Sequence, residues 1–151
     1  MRRLLSFDLP DMARLHAAAF PASEAWSAPS LQALMMQNSC RAYGIHETGQ
    51  SLVGFVLLQL SPGNVDILTL AIDPDCQRQG YGLSLMKACT TQADLAEHTR
   101  WTLDVAVDNA AAIGFYKALG FQPDGTRRNY YRRGKAGRVD ALLMTCNLTG
   151  H

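Results

Sequence analysis

The chain reads as an α/β (α+β) protein with a mixed, mostly antiparallel central sheet, helices on both faces, and the order β-α-α-β-β-β-α-β-α-β-β. Three observations predict this. Runs of β-branched and apolar residues of strand length recur along the chain, bounded by Gly, Pro, Asn and Asp. Between them lie stretches whose apolar positions repeat at helical spacing. Finally, the helical stretch after Gly82 separates two strong strands, Val65–Ile72 and Trp101–Val107, and a connection of that length suits a parallel crossover. The 151 residues are expected to form one domain, 1–151, large enough to bury a core without metal or disulfide staples.

Taken in order, residues 2–7 predict a short first strand. Asp8 is a candidate cap for a helix that opens at Pro10 and runs to Phe20. Met12, Leu15, Ala18 and Ala19 would form its apolar face and His16 its surface. Pro21 stops it, and Trp26 falls in the following loop, where the core pattern does not require it. Ser27 can cap a second helix, Ser30 to Gln37. Strands at Cys40–Glu47 and Leu52–Leu60 are joined as a hairpin across Thr48-Gly49-Gln50. Ser61-Pro62-Gly63-Asn64 turns the chain into Val65–Ile72, which Asp73-Pro74 stops, because proline has no N–H for a ladder. A helix from near Gly80 to about Ala96 follows, then Trp101–Val107. Asp108-Asn109 caps a helix from Ala110 to Leu119 that Gly120 ends. Phe121–Arg128 and Asp140–Leu148 are the last strands, separated by a basic, glycine-containing loop, Tyr130 to Gly137.

Composition excludes several classes. Net charge is +1, so no global field points to nucleic acid; residues 125–151 carry six basic residues against Asp140 alone, whereas residues 1–124 carry eight basic against twelve acidic. Cys40, Cys76, Cys89 and Cys146 form no Cys-x-x-Cys pair and read as thiols in a reducing cytoplasm, not as disulfides or a metal site. No apolar stretch is long enough for a membrane span. Arg2-Arg3 is no export signal, since Asp8 and Asp11 stand where its apolar region would be. The expectation is a cytoplasmic protein with neither metal, membrane nor nucleic-acid partner.

The chemistry concentrates after Val65–Ile72. Gln77-Arg78-Gln79-Gly80-Tyr81-Gly82 lies where a strand gives way to a helix. Gly80 and Gly82 let a ligand approach the main chain. The helix start offers unpaired N–H groups and a positive dipole end, and Arg78 adds a full charge. This suits a pyrophosphate, although ordinary tight turns also use glycine. The Walker Lys-Ser/Thr pair is absent, and the dinucleotide fingerprint would need Gly or Ala at Leu85.

Gln77-x-x-Gly80-x-Gly82 resembles the cofactor loop of the GNAT superfamily of acyl-CoA-dependent N-acetyltransferases. Asn109-Ala-Ala-Ala-Ile-Gly-Phe-Tyr116-Lys-Ala-Leu-Gly120-Phe121 is similar to a second segment of that superfamily, in particular of RimI-type enzymes, which acetylate the N-terminal alanine of a ribosomal protein. His16-Ala-Ala-Ala-Phe20-Pro21, Ala71-Ile72-Asp73-Pro74-Asp75, Arg127-Arg128-Asn129-Tyr130-Tyr131 and Gly137-Arg138-x-Asp140-Ala141 resemble RimI-type segments as well, so the likeness covers His16 to Met144.

The resemblance implies a GNAT fold, in which two parallel strands splay and pantetheine lies in the wedge. It implies acetyl-CoA as cosubstrate, held by Leu70, Ala71, Ile72, Gln77, Arg78, Gln79, Gly80, Tyr81, Gly82, Asn109 and Tyr116. The main chain at Leu70, Ala71 and Ile72 would serve the oxyanion, Tyr116 would protonate the leaving thiolate, and Asp104 would be general base where RimI-type enzymes carry glutamate. Taken from the pattern alone, Tyr116 also fits a core aromatic, Asn109 a helix cap and Asp104 a solvated strand carboxylate. Val139 replaces a family acid, and Ala106 stands where those enzymes usually have arginine. Direct transfer in a ternary complex is implied, with the N-terminal amine of a peptide or protein as acceptor, including that of a ribosomal protein. A small amine (polyamine, amino acid or drug) and a non-catalytic acyl-CoA-binding module stay open as alternatives, as does the oligomeric state.

Overall fold

In the computed structural model, residues 1–48, 51–132 and 137–147 are described. Among these residues seven strands, β1 (Arg2–Arg3), β2 (Cys40–His46), β3 (Leu52–Ser61), β4 (Asn64–Ile72), β5 (Arg100–Ala106), β6 (Gln122–Arg132) and β7 (Arg138–Asn147), form one sheet in the order β1-β2-β3-β4-β5-β7-β6. Four helices accompany it: α1 (Leu9–Ala19), α2 (Ala28–Met35), α3 (Tyr81–Thr90) and α4 (Ala110–Ala118). All strand pairs are antiparallel except β4 with β5. The element order is the one expected from the sequence.

The sheet separates two apolar clusters. On one face Val56, Leu58, Val65, Ile67, Trp101, Leu103 and Met144 meet Leu85, Met86 and Cys89 of α3 and Tyr116 of α4. On the other, Ala42, Phe55, Leu57 and Ala71 meet Met12 and Leu15 of α1 and Leu31 of α2. The second cluster takes nothing from β5, β6 or β7. That half of the second face carries polar side chains instead, Thr102 and Asp104 among them.

Several local expectations are corrected. The first strand is confined to Arg2–Arg3, and Ser6–Asp8 is a 3-10 turn. Asp8 makes no side-chain cap to α1; its buried carboxylate accepts from Leu5 N at 2.8 Å and from both terminal nitrogens of Arg2 at 2.6 and 3.0 Å. α3 stops at Thr90 rather than near Ala96, because the Thr90 and Thr91 hydroxyls donate to Lys87 O and Ala88 O at 2.8 Å and close the last turn locally. Ala18 is exposed, whereas His16, expected at the surface, is 1% exposed. β6 runs past Arg128 to Arg132 through an irregularity between Arg127 and Tyr131. Gly49, Gln50, residues 133–136 and Leu148 lie outside the described residues, so the hairpin tip and most of the basic loop are not characterised.

Two features of β4 shape the sheet beyond Ile67. Leu57 pairs Thr69 and Leu58 pairs Ile67, so Leu68 is an extra residue, a β-bulge. Side chains alternate along a strand, so one extra residue reverses their facing beyond it. Val65 and Ile67 belong to the α3/α4 cluster, but Ala71 belongs to the α1/α2 cluster, and Leu70 and Ile72 pack with the former. In addition, β4–β5 pairing ends at Ile67↔Leu103, although both strands continue.

Candidate active site

Beyond Ile67 and Leu103 the two parallel strands have parted, leaving Leu68–Ile72 with β3 as its strand partner among the described residues, where Leu70, Ala71 and Ile72 pair with Val56, Phe55 and Gly54. The main-chain groups of this stretch that point away from β3 therefore face an opening, since backbone groups alternate sides along a strand. Gly54 makes the tight pairing possible: a Cβ there would come within 2.5 Å of Ile72 Cδ1 and 3.3 Å of Ala71 O.

The glycine loop borders this opening. Gly80 has φ +85° and Arg78 φ +64°, and a Cβ added at Gly80 would meet nothing within 4 Å. Glycine is thus needed there for its backbone angle, with open space beside it for a ligand. Gly82 serves differently. A Cβ on it would meet Phe115 Cζ at 3.2 Å and Cε1 at 3.3 Å, so this glycine lets the start of α3 close onto α4. Gln77 and Gln79 turn their side-chain amides back on the loop, donating to Ile72 O at 3.2 Å and Asp75 O at 3.3 Å. Tyr81 sends its hydroxyl to Glu47 Oε1 at 3.5 Å. What these three offer a ligand is main chain, at a ten-residue helix whose first N–H groups have no intrahelical partner. Open space at Gly80, left-handed angles that re-aim N–H groups, the α3 dipole and the exposed Arg78 together fit a pyrophosphate.

On the other side of the opening stand β5 and α4. Leu103 and Val105 are core, and Asp104 faces oppositely, as alternation required. Its side chain is 17% exposed; Oδ1 is buried without a hydrogen bond among the described residues and lies 3.6 Å from Arg127 Nε, while the Asp104 carbonyl accepts from the Tyr131 hydroxyl at 3.0 Å. Asn109 caps α4, its Oδ1 accepting from Ala112 N at 3.1 Å, and is exposed. Tyr116 is buried edge-on against Phe115 and Phe121. Burial, and secondarily the neighbouring Tyr131, hold its hydroxyl pKa well above the usual phenol range, so it stays protonated.

Three further groups stand at this site. Asp66 sits beside Thr102 in the β4–β5 register and accepts from its hydroxyl at 2.9 Å. Its carboxyl is raised above the ordinary value chiefly by burial and also by Asp104, against lowering by Thr102 and Arg127. Arg127 and Tyr131 come from β6, flanking the irregular stretch in which Asn129 has φ +53° and donates its N–H to Asp140 Oδ1 at 2.9 Å. Their residues lie inside the Arg-Arg-Asn-Tyr-Tyr segment, the one signal in the sequence that pointed to them.

His16 ties α1 to the bulged strand. Trp26 N–H donates to Nδ1 at 3.1 Å, so the proton is on Nε2, which faces Thr69 Oγ1 at 3.0 Å. Phe20 and Trp26 stack on the ring at 4.2 and 5.3 Å between centroids. Trp26, which the pattern left out of the core, is partly buried against the second cluster. Among the described residues no three His, Cys, Asp or Glu side chains gather as a metal site, and no helix is long and apolar enough to cross a membrane.

A family model described as the acetyltransferase (GNAT) family matches residues 9–121. The [ribosomal protein bS18]-alanine N-acetyltransferase of Escherichia coli strain K12 is 36% identical over 93 residues, covering 62% of this chain and 62% of that protein. The N-alpha-acetyltransferase RimI of Mycobacterium tuberculosis is 30% identical over 141 residues, covering 91% and 85%. The crystal structure of the ribosomal-protein-S18-alanine N-acetyltransferase from Escherichia coli superposes with TM-score 0.86 at 28% identity, over 98% of this chain and 92% of that one.

Proposed function

This chain belongs to the acetyltransferase (GNAT) family, and from that we propose that it transfers an acetyl group from acetyl-CoA to the N-terminal α-amine of a protein, with alanine as the acceptor residue. The observation that carries the reading is the parting of β4 from β5 after Ile67 and Leu103, which leaves Leu70–Ile72 unpaired on that side just ahead of the glycine loop. The names of the relatives support the acceptor, a ribosomal-protein N-terminus beginning with alanine. Four free cysteines support a reducing, cytoplasmic setting.

Acetyl-CoA supplies the acetyl group as a thioester, which a neutral amine attacks and an ammonium cannot. The main chain of Gln77 to Gly82, with Arg78, binds the pyrophosphate. The main-chain groups of Leu70, Ala71 and Ile72 that β5 has released, together with Asn109, orient the pantetheine arm and stabilise developing negative charge. Asp104 receives the proton of the acceptor ammonium on its carboxylate, directly or through one water. Tyr116 Oη keeps its proton until the sulfur departs, and the burial that raises its pKa also keeps it a donor. The protein needs no covalent intermediate of its own.

Incubation with labelled acetyl-CoA and a panel of N-terminal peptides and small amines tests the reading. Label on alanine-initiated peptides is expected. Label confined to polyamines or amino acids would replace the acceptor, and tight CoA binding without any transfer would replace the enzyme by a binding module.

A further inference from the structure

Asp104 does not face an empty groove. Arg127 Nε stands 3.6 Å from its buried Oδ1, beyond hydrogen-bond geometry, and the guanidinium carbon lies 5.4 Å from the Tyr130 ring centroid. Its side chain is 57% exposed. On the same polar half of the sheet this cation also lowers the Asp66 carboxyl, against the larger raising effect of burial. The chain shows elsewhere what a locked pair looks like: Arg2 grips Asp8 through two hydrogen bonds of 2.6 and 3.0 Å. The Arg127 contact has the opposite character, with one long approach and a carboxylate oxygen left without a donor among the described residues. An arginine cannot act as base at any working pH. An acceptor ammonium must reach Asp104 to lose its proton, and it carries the same charge as the group already there.

Resting on the acetyl-transfer reading, we propose that Arg127 is a built-in stand-in for the acceptor amine: its guanidinium occupies the cation position against Asp104 in the resting protein and gives way when the acceptor ammonium arrives. Weak binding is then a requirement, since a bidentate pair would block the site. Among the described residues, Arg127 stands against Asp104, Tyr131 donates to the Asp104 carbonyl and Thr102 donates to Asp66.

The test is Arg127→Gln, which keeps the stem on an exposed position and removes the charge. In the protein alone, followed by carboxyl carbon NMR, Asp66 should titrate at higher pH in the variant than in the wild type. Methylguanidinium at sub-denaturing concentration should bring it back toward the wild-type value. With an alanine-initiated peptide, the acceptor KM should fall by about fivefold, the scale of a half-exposed ion pair no longer competing. An acceptor KM that stays or rises, as for a residue that binds the acceptor, overturns the proposal, and so does an Asp66 titration that ignores the substitution. Should no peptide or amine be acetylated, the functional reading fails while the NMR and methylguanidinium measurements still decide the place of Arg127.

Discussion

Replacing His16 by glutamine removes the one titratable group that joins α1, the Trp26 loop and the bulge of β4, while leaving an amide able to donate and accept. The wild-type ring is 1% exposed, and burial lowers its pKa from 6.5 to about 4. The folded state therefore binds a proton less readily than the unfolded chain. The stability contributed by His16 is fully present above about pH 6.5 and is lost as pH falls toward about 4. The whole gap corresponds to about 3 kcal/mol, of which about 2 kcal/mol is already gone at pH 5. Other acidic groups titrate in the same range, so the informative quantity is the difference between wild type and variant. Urea unfolding at pH 7, 6 and 5, followed by tryptophan fluorescence, should show the wild type losing about 2 kcal/mol more than His16→Gln between pH 7 and 5. At pH 7 the variant should be weaker by about 1–3 kcal/mol, the cost of two poorly reproduced buried hydrogen bonds and a ring stacked on Phe20 and Trp26. Parallel pH dependences in the two proteins would refute the buried, neutral assignment.

Three further outcomes are expected. Gly80→Val forces a β-branched residue to φ +85°, strain of about 1–2 kcal/mol in the loop, and should sharply weaken CoA binding by calorimetry in a protein that still folds; unchanged affinity would detach the loop from the pyrophosphate. Tyr116→Phe removes only a hydroxyl for which no partner is found among the described residues, so melting temperature and CoA affinity should hold while turnover falls by roughly 10²–10⁴-fold; wild-type turnover would leave Tyr116 a core aromatic. Asp104→Asn should depress kcat/KM most at low pH, where the amine is most protonated, and Asp104→Glu should retain activity. An asparagine variant with the wild-type pH–rate profile would move the base to Asp66, Asp140 or water.

The order of elements, the strand-to-helix position of the glycine loop and the capping of α4 by Asn109 were legible in the sequence because each is local. Residues within one turn or one strand decide them, and their signals are periodicity, Gly and Pro. Two parallel strands around a helix were legible too, from the length of the connection. The tertiary structure decided the rest. Alternation alone would put Val65, Ile67, Thr69 and Ala71 on one face; the register with β3 inserts Leu68 and sends Thr69 and Ala71 to the other. Helical spacing gave His16 a surface position, but Thr69, 53 residues away, and the Trp26 main chain supply the partners that make its burial tolerable. Asp66, Asp104 and Arg127 likewise meet only because β4 lies beside β5 and β6 lies beyond β7 in the sheet order. Local patterns report the conformation of a segment. The facing of its side chains past a bulge, and the charges they meet there, are fixed by pairing between strands distant in the chain.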